Sequence, residues 1–424
     1  MKIAILSGGT RGDVQPYVAL GEFLAGRGHE VVLATHEPFR AMAEARGLEF
    51  VGLPGDPRQQ IQTQEGRELV SSQRASLRFV RQLSELVEPW LEQLLEDVTP
   101  LCEKSDVVVY SPLAFLAWHV SQATGTPTVL AALQPYAPTR EFPTVVLGGR
   151  NFGRSLNLAS HYLADGLAWL SVGRTVNRLR TERLGLPPLG WRGSGPELRR
   201  QREPHLFGYS RHLVPKPADW GPHHHVTGYW FLDDLGEGLE SGLEAFLDAG
   251  ESPVYIGFGS MATADATTTA ELVIEATRRA GVRVVMSTGW GGMAEGDSDE
   301  RVFFVGETPH DVLFPRMQAV VHHGGAGTTG AVLRAGVPQV VVPFLADQAF
   351  WGSRVAAAGV GPTPIPSRML TAGALEAALR EVTGNSGHRQ AAAALGVLVR
   401  REDGLEEAAT VIEDFGDRGL PRRA

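Results

Sequence analysis

The chain has 424 residues, 43% of them apolar and 21% charged, enough to build two cores rather than one. Its formal charge of −9 argues against a general nucleic-acid binder, which needs a basic surface to meet phosphates. The single cysteine, Cys102, excludes an internal disulfide and reads as a small buried apolar residue in a reducing compartment.

The apolar run Ile3–Leu6 is too short for a signal-peptide core, and no stretch approaches the ~20 apolar residues that cross a bilayer. The expectation is a soluble, cytoplasmic protein. Lys2–Leu6 reads as a strand, followed by the glycine-rich turn Ser7-Gly8-Gly9-Thr10-Arg11-Gly12-Asp13. A helix carrying Val18, Leu20, Phe23 and Leu24 comes next, closed by Gly26 and Gly28. Further strands are expected at Val31–Ala34, Asp106–Tyr110 and Pro127–Ala131. Two long helical stretches interrupt them and read as additions rather than sheet connections. In the first, Phe79, Leu83, Val87, Trp90 and Leu94 recur at helical spacing, and Pro89 should kink or split it. The second spans about Phe152 to Leu184. Prolines and glycines crowd the region from Glu203 to Glu240, which places a linker at 215–239.

The second half restarts the rhythm. Strands are expected at Val254–Phe258, Val282–Ser287, Val302–Val305, Ala319–His322 and Gln339–Val342, with helices at Thr269–Arg279 and Thr328–Ala335. Strands alternating with helices in both halves predict an α/β protein of two doubly wound, Rossmann-like domains with a cleft between them. The expected division is 1–214, linker 215–239, 240–405, and a tail at 406–424 returning towards the first domain.

The strongest motif is His322-His323-Gly324-Gly325-Ala326-Gly327-Thr328-Thr329, at a strand-to-helix turn. Glycines let backbone N–H groups approach a ligand, and a helix N-terminus adds unpaired donors and partial positive charge, so the turn suits a phosphate. Asp13 stands after the first strand, where it is either a helix cap or a general base.

These motifs resemble the family 1 glycosyltransferases of the GT-B fold, especially sterol glucosyltransferases and bacterial enzymes that glycosylate antibiotics. The resemblance rests on His323-x-Gly325-x-Gly327-Thr328-Thr329, Arg334-Ala335-Gly336-Val337-Pro338 and Pro343-Phe344-x-x-Asp347-Gln348. Gly8-x-x-x-Gly12-Asp13-Val14-Gln15-Pro16, Gly257-Phe258-Gly259-Ser260 and Pro309–Phe314 extend it. It implies a metal-independent, inverting hexosyltransferase with an N-terminal acceptor domain and a C-terminal donor domain. A UDP- or TDP-sugar would be the co-substrate, with no other cofactor, and a small, mostly apolar natural product would be the acceptor. By that resemblance Asp13 is the base, and Ser260, His323, Gly325, Gly327 and Thr328 hold the diphosphate. Asp347 and Gln348 bind the sugar, while Trp290, Val305, Pro309 and His310 surround the nucleobase. Thr10, Arg11 and Gly12 support the catalytic loop, Arg11 either ordering it or pairing with Asp13. Where many members carry a ribose-binding Glu, this chain has Ala331, so uridine and thymidine both stay open.

His223-His224-His225 resembles a metal tract but reads as linker, since neighbours on an extended chain point opposite ways. The arginines of 174–202 read as a solvated helical face, with membrane or anionic-acceptor contact as the other possibility. Trp90, Phe115, Trp118, Tyr136, Phe142 and Phe152 read equally as acceptor pocket or core. Other readings are a sugar-nucleotide epimerase of the same fold, or a transferase acting on lipid-linked or glycopeptide acceptors. A monomer or homodimer is expected, with no nucleic-acid partner and no transmembrane segment.

Overall fold

The computed structural model describes residues 1–55, 77–236, 238–259, 266–288, 298–344 and 347–418. Short β-branched runs set its framework. Val107–Tyr110 (VVVY) and Ala319–His322 (AVVH) are buried at every position, as expected of parallel strands covered on both faces.

The first sheet has seven parallel strands: β1 (Lys2–Leu6), β2 (Glu30–His36), β3 (Glu49–Leu53), β4 (Val107–Tyr110), β5 (Thr128–Ala132), β6 (His205–Phe207) and β7 (His224–Val226). Their order is β3-β2-β1-β4-β5-β6-β7. The second has five parallel strands: β8 (Val254–Gly257), β9 (Val284–Ser287), β10 (Val302–Val305), β11 (Ala319–His322) and β12 (Gln339–Val341). Their order is β10-β9-β8-β11-β12. Strand order therefore reverses between β1 and β4 in one sheet and between β8 and β11 in the other. Loops leaving such a pair in opposite directions open a crevice at the strands' carboxyl ends.

Helix α1 (Arg11–Gly26) covers one face of the first sheet. The other face is covered by α2 (Leu77–Lys104), α3 (Leu116–Thr124) and the C-terminal half of α4 (Arg154–Glu182). In the second half, α5 (Ala266–Ala280) and α6 (Ala372–Gly384) pack on the β8–β12 sheet. Helices α7 (Ala326–Ala335), α8 (Gln348–Ala357) and α9 (Ser386–Arg401) lie towards the first half. There Phe142, Tyr209 and Trp220 share a core with Phe350, Trp351 and Val355. The last helix, α10 (Gly404–Arg418), packs on α1: Ala408, Ala409 and Ile412 are buried with Ile3, Val14 and Val18, and Arg27 pairs with Glu406 and Glu413.

Several expectations change. The chain stays in the first sheet to Val226, inside the expected linker, because the histidine run pairs with β6 as its outermost strand. β3, β6 and β7 were not anticipated; the last two have three residues each, too short for an alternation to register. Helices α2 and α4 are sheet connections, β3 to β4 and β5 to β6, with Leu91, Leu95, Val176 and Leu179 in the sheet's core. Pro89 sits within an α2 that continues to Lys104 rather than splitting there. Cys102 is fully buried, and burial pushes its thiol up to about 12.

Candidate active site

On the first sheet, the turn after β1 folds around the Asp13 carboxylate. Thr10 is the N-cap of α1, and Asp13 stands three residues on. Asp13 Oδ2 accepts from the Thr10 backbone N–H (2.8 Å) and the Thr10 hydroxyl (2.9 Å), the reciprocal half of a capping box. Among the described residues nothing bonds Oδ1. Gly9 has φ +120, and a Cβ there would lie 2.6 Å from Asp13 Oδ2, so only glycine lets the turn close on the carboxylate. Gly9 N–H donates to His36 Nε2 at the tip of β2 (3.2 Å), and Gly8 N–H to Ser111 Oγ beyond β4 (3.4 Å). Burial raises the Asp13 pKa; the two Thr10 bonds and the nearby His36 oppose that shift. The cap reading holds: one carboxylate oxygen is engaged by Thr10, and the other is open among the described residues.

Across the cleft, His322 and His323 diverge at the end of β11. His322 is fully buried: its Nδ1 accepts from Gly324 N–H (3.0 Å) and its Nε2 donates to Gln339 Oε1 (2.7 Å), which fixes a neutral tautomer. Gly324 has φ +92, and a Cβ there would meet Val341 Cγ1 at 2.6 Å. Gly325 then caps α7, so the first-turn N–H groups of Ala326, Gly327 and Thr328 have no intrahelical acceptor. The helix begins two residues before the expected Thr328.

The His323 ring lies along the glycine turns. Its Nε2 is 2.5 Å from where a Gly325 Cβ would be, and its Cε1 is 3.2 Å from a Cβ at Gly259, after β8. Burial lowers its pKa to about 4, and Nδ1 is buried with no partner among the described residues. A buried ring nitrogen beside helix N–H groups that lack an intrahelical acceptor offers a set of donors suited to an anion. His310 stacks on Phe314 (4.2 Å between centroids); burial lowers its pKa to about 4, with the Arg11 charge and His323 adding to the effect. Pro309 caps the short helical turn that carries it. Val305 is buried, and its carbonyl accepts from Thr288 N–H (2.9 Å).

The two halves meet where two helices begin: a Cβ on Gly327 would lie 3.9 Å from the Gly12 carbonyl oxygen. Arg11 spans the gap to pair with Glu307, and its Nε donates to Gln15 Oε1 (3.3 Å); it does not pair with Asp13. Asp347 precedes α8, and its Oδ2 accepts from the Trp351 indole N–H (2.7 Å). Burial pushes its carboxyl up to about 6, and the Asp13 carboxylate adds to that rise. Gln348 is turned inward, its Oε1 accepting from Phe344 N–H (2.8 Å). Ser260 and Trp290 lie outside the described residues.

The structure thus gathers Thr10, Gly12, Asp13, His323, Gly325, Gly327 and Asp347 around one cleft. His36, Glu307 and Trp351 join them unanticipated. None of the three falls in a motif of the sequence. Of the aromatic residues set down as pocket or core, Trp118 and Phe142 are buried, while Tyr136 and Phe152 are exposed. The histidine run packs against His205 by ring contacts, and among the described residues no three metal-ligating side chains converge.

Residues 3–143 match the glycosyltransferase family 28 N-terminal domain, and residues 296–403 the erythromycin biosynthesis protein CIII-like C-terminal domain. Sterol 3-beta-glucosyltransferase UGT80A2 of Arabidopsis thaliana is 37% identical over 427 residues, covering 96% of this chain and 64% of that protein. Sterol 3-beta-glucosyltransferase UGT80B1 of the same plant is 38% identical, covering 90% and 62%. The chain therefore spans somewhat less than two thirds of these relatives. Among solved structures, the calicheamicin glycosyltransferase CalG4 superposes with a TM-score of 0.69 at 19% identity, covering 99% of each chain. Glycosyltransferase VinC in complex with DTDP gives 0.67 at 18% identity, covering 99% of this chain and 100% of that one.

Proposed function

Since the chain belongs to the glycosyltransferases of the GT-B fold, we propose that it moves a hexose from a UDP- or TDP-sugar to a hydroxyl of a rigid, apolar alcohol, with a sterol as the favoured acceptor. The observation that carries this reading is the pairing across the cleft: a carboxylate with an open oxygen on one side, and unpaired helix N–H groups beside an unsatisfied imidazole on the other. The sterol preference rests on the identity to sterol glucosyltransferases over nearly the whole chain.

In the reaction, Asp13 Oδ1 accepts the proton of the acceptor hydroxyl as its oxygen attacks the anomeric carbon. The bond from that carbon to the diphosphate breaks, and the leaving group takes the electron pair. The α7 N-terminus and His323, through fixed dipoles and a ring N–H, stabilise the charge that develops. Burial raises the Asp13 pKa, which makes its carboxylate a stronger base than an exposed one. Attack opposite the leaving group inverts the anomeric centre. Asp347 would order the sugar's hydroxyls, with Trp351 holding its carboxylate. Gln348, which the family resemblance also assigns to the sugar, braces Phe344 through its amide oxygen.

The test is incubation of the full chain with UDP-glucose or TDP-glucose and a panel of sterols and macrolides, read by mass spectrometry and by the proton coupling of the new anomeric centre. A β-glucoside of a sterol is expected. Absence of product, together with no thermal stabilisation by any sugar nucleotide at about 100 times a micromolar dissociation constant, where ~2.7 kcal/mol is expected, would end this reading.

A further inference from the structure

At the far edge of the first sheet a cavity of about 210 Å³ opens beside β7, lined by Arg211, Lys216, His224, His225, Val226 and Glu407. One ordered water needs only ~10–15 Å³. His224 and His225 are neighbours on a strand, so their side chains leave it on opposite sides. A cavity that both of them line therefore follows the strand's open edge, and β7 is paired on its β6 side alone.

The walls are held without a ligand. The His224 ring lies among those of His205 (5.0 Å between centroids) and Trp220 (5.2 Å). Arg211 Nη2 donates to the Val226 carbonyl (2.9 Å) and pairs with Glu407 of α10, while the Arg211 backbone N–H donates to Glu402 Oε1 (3.1 Å). The cavity adjoins the place where the chain's two crossings between the halves touch. A Cβ on Gly228 would lie 3.2 Å from Glu402 Cβ, and one on Gly404 2.5 Å from the Tyr229 carbonyl oxygen.

The lining carries more positive charge than its one carboxylate matches. Glu407 is engaged by Arg211 Nη2. Arg211 Nη1, Lys216 and the His225 ring have no hydrogen-bond or ion-pair partner among the described residues. Partial burial lowers the Lys216 pKa, and no carboxylate stands near enough to offset it. Burial first, and then neighbouring positive charge that includes Lys216, lowers the pKa of His223, His224 and His225. An ammonium drawn partly out of water with no counter-charge costs the fold stability, and an anion in the cavity removes that cost.

We propose that this cavity binds a small phosphate-bearing anion, with Arg211 Nη1, Lys216 Nζ and the His225 ring donating to its oxygens. A carboxylate has two oxygens for these three donors. A phosphate has an oxygen for each of them and carries up to a second negative charge. The bound anion bridges β7 and the 211–216 segment, beside the α10 helix that Arg211 already holds. The site depends on these residues alone and not on the reaction proposed above.

The experiment follows the His225 ring itself. The full chain is labelled with ¹³C at histidine Cε1, and the His225 signal is assigned by its loss in His225→Gln. It is then titrated at fixed pH with sodium phosphate, and with sodium chloride and sodium acetate at matched ionic strength. The His225 signal is expected to move saturably with phosphate, and at least about tenfold less readily with the other two salts. Lys216→Glu, at an exposed position on the cavity's rim, should weaken the phosphate response at least about tenfold while the other histidine signals, which report the fold, stay in place. Lys216→Gln should weaken it in the same direction and by less. The proposal is overturned if phosphate moves the His225 signal no more than chloride or acetate does, or if the Lys216→Glu chain binds phosphate as tightly as wild type.

Discussion

Asp347 offers a prediction whose size follows from its surroundings. Burial raises its pKa from the ordinary 3.8 to about 6; the Asp13 carboxylate adds to the rise, and the Trp351 hydrogen bond opposes it. A carboxyl that binds its proton more tightly folded than unfolded makes stability fall as pH rises from about 3.8 to about 6, and the loss persists above. A gap of about two pK units at 1.36 kcal/mol each is about 3 kcal/mol, the cost of holding this buried charge at neutral pH. Asp347→Asn keeps an oxygen for the Trp351 N–H, keeps the volume, and removes the ionisation. The substituted protein should therefore be more stable than wild type at pH 7.5, by up to about 3 kcal/mol. At pH 4 the two should be nearly equal. Urea unfolding of both proteins, without ligand, at the two pH values measures the difference directly; the buried histidines titrate in both and cancel. An advantage of equal size at pH 4 and 7.5, or a wild type that is the more stable at pH 7.5, would refute the reasoning. Turnover should fall in the same variant, so the site retains a charge that the fold alone would discard.

Asp13→Asn should keep the thermal shift produced by a sugar nucleotide while turnover drops by about 10²–10⁴, measured as initial rate with saturating donor. Gly325→Ala places a Cβ at 2.5 Å from His323 Nε2, which displaces the ring; donor affinity by calorimetry should weaken about tenfold or more. Gln339→Leu leaves the His322 Nε2–H buried without its acceptor and should cost about 1–3 kcal/mol in unfolding free energy, with donor binding preserved.

The sequence carried the two-sheet plan because the inner strands are short, nearly unbroken apolar runs, as at Val107–Tyr110 and Ala319–His322. It carried the glycine turn after β11 because glycine spacing and a histidine at a strand end are local features. What it could not carry depends on contacts far apart in the chain. Arg11 and Glu307 are 296 residues apart and meet only because two strand-order reversals face each other. His36 enters the turn after β1 through a bond to Gly9 that no spacing rule encodes. The His224–Val226 strand hid behind a composition typical of linkers, its pairing supplied entirely by β6.

The closing helix α10 has a mechanical consequence. The chain passes from the first half to the second before Ser241 and returns after Arg401, so two tethers rather than one join the halves. Opening the cleft must twist both together, which favours rotation about their common line over simple separation. A protease cut near Leu239 should leave the fragments associated, since Ala408 and Ile412 stay seated against Ile3 and Val18.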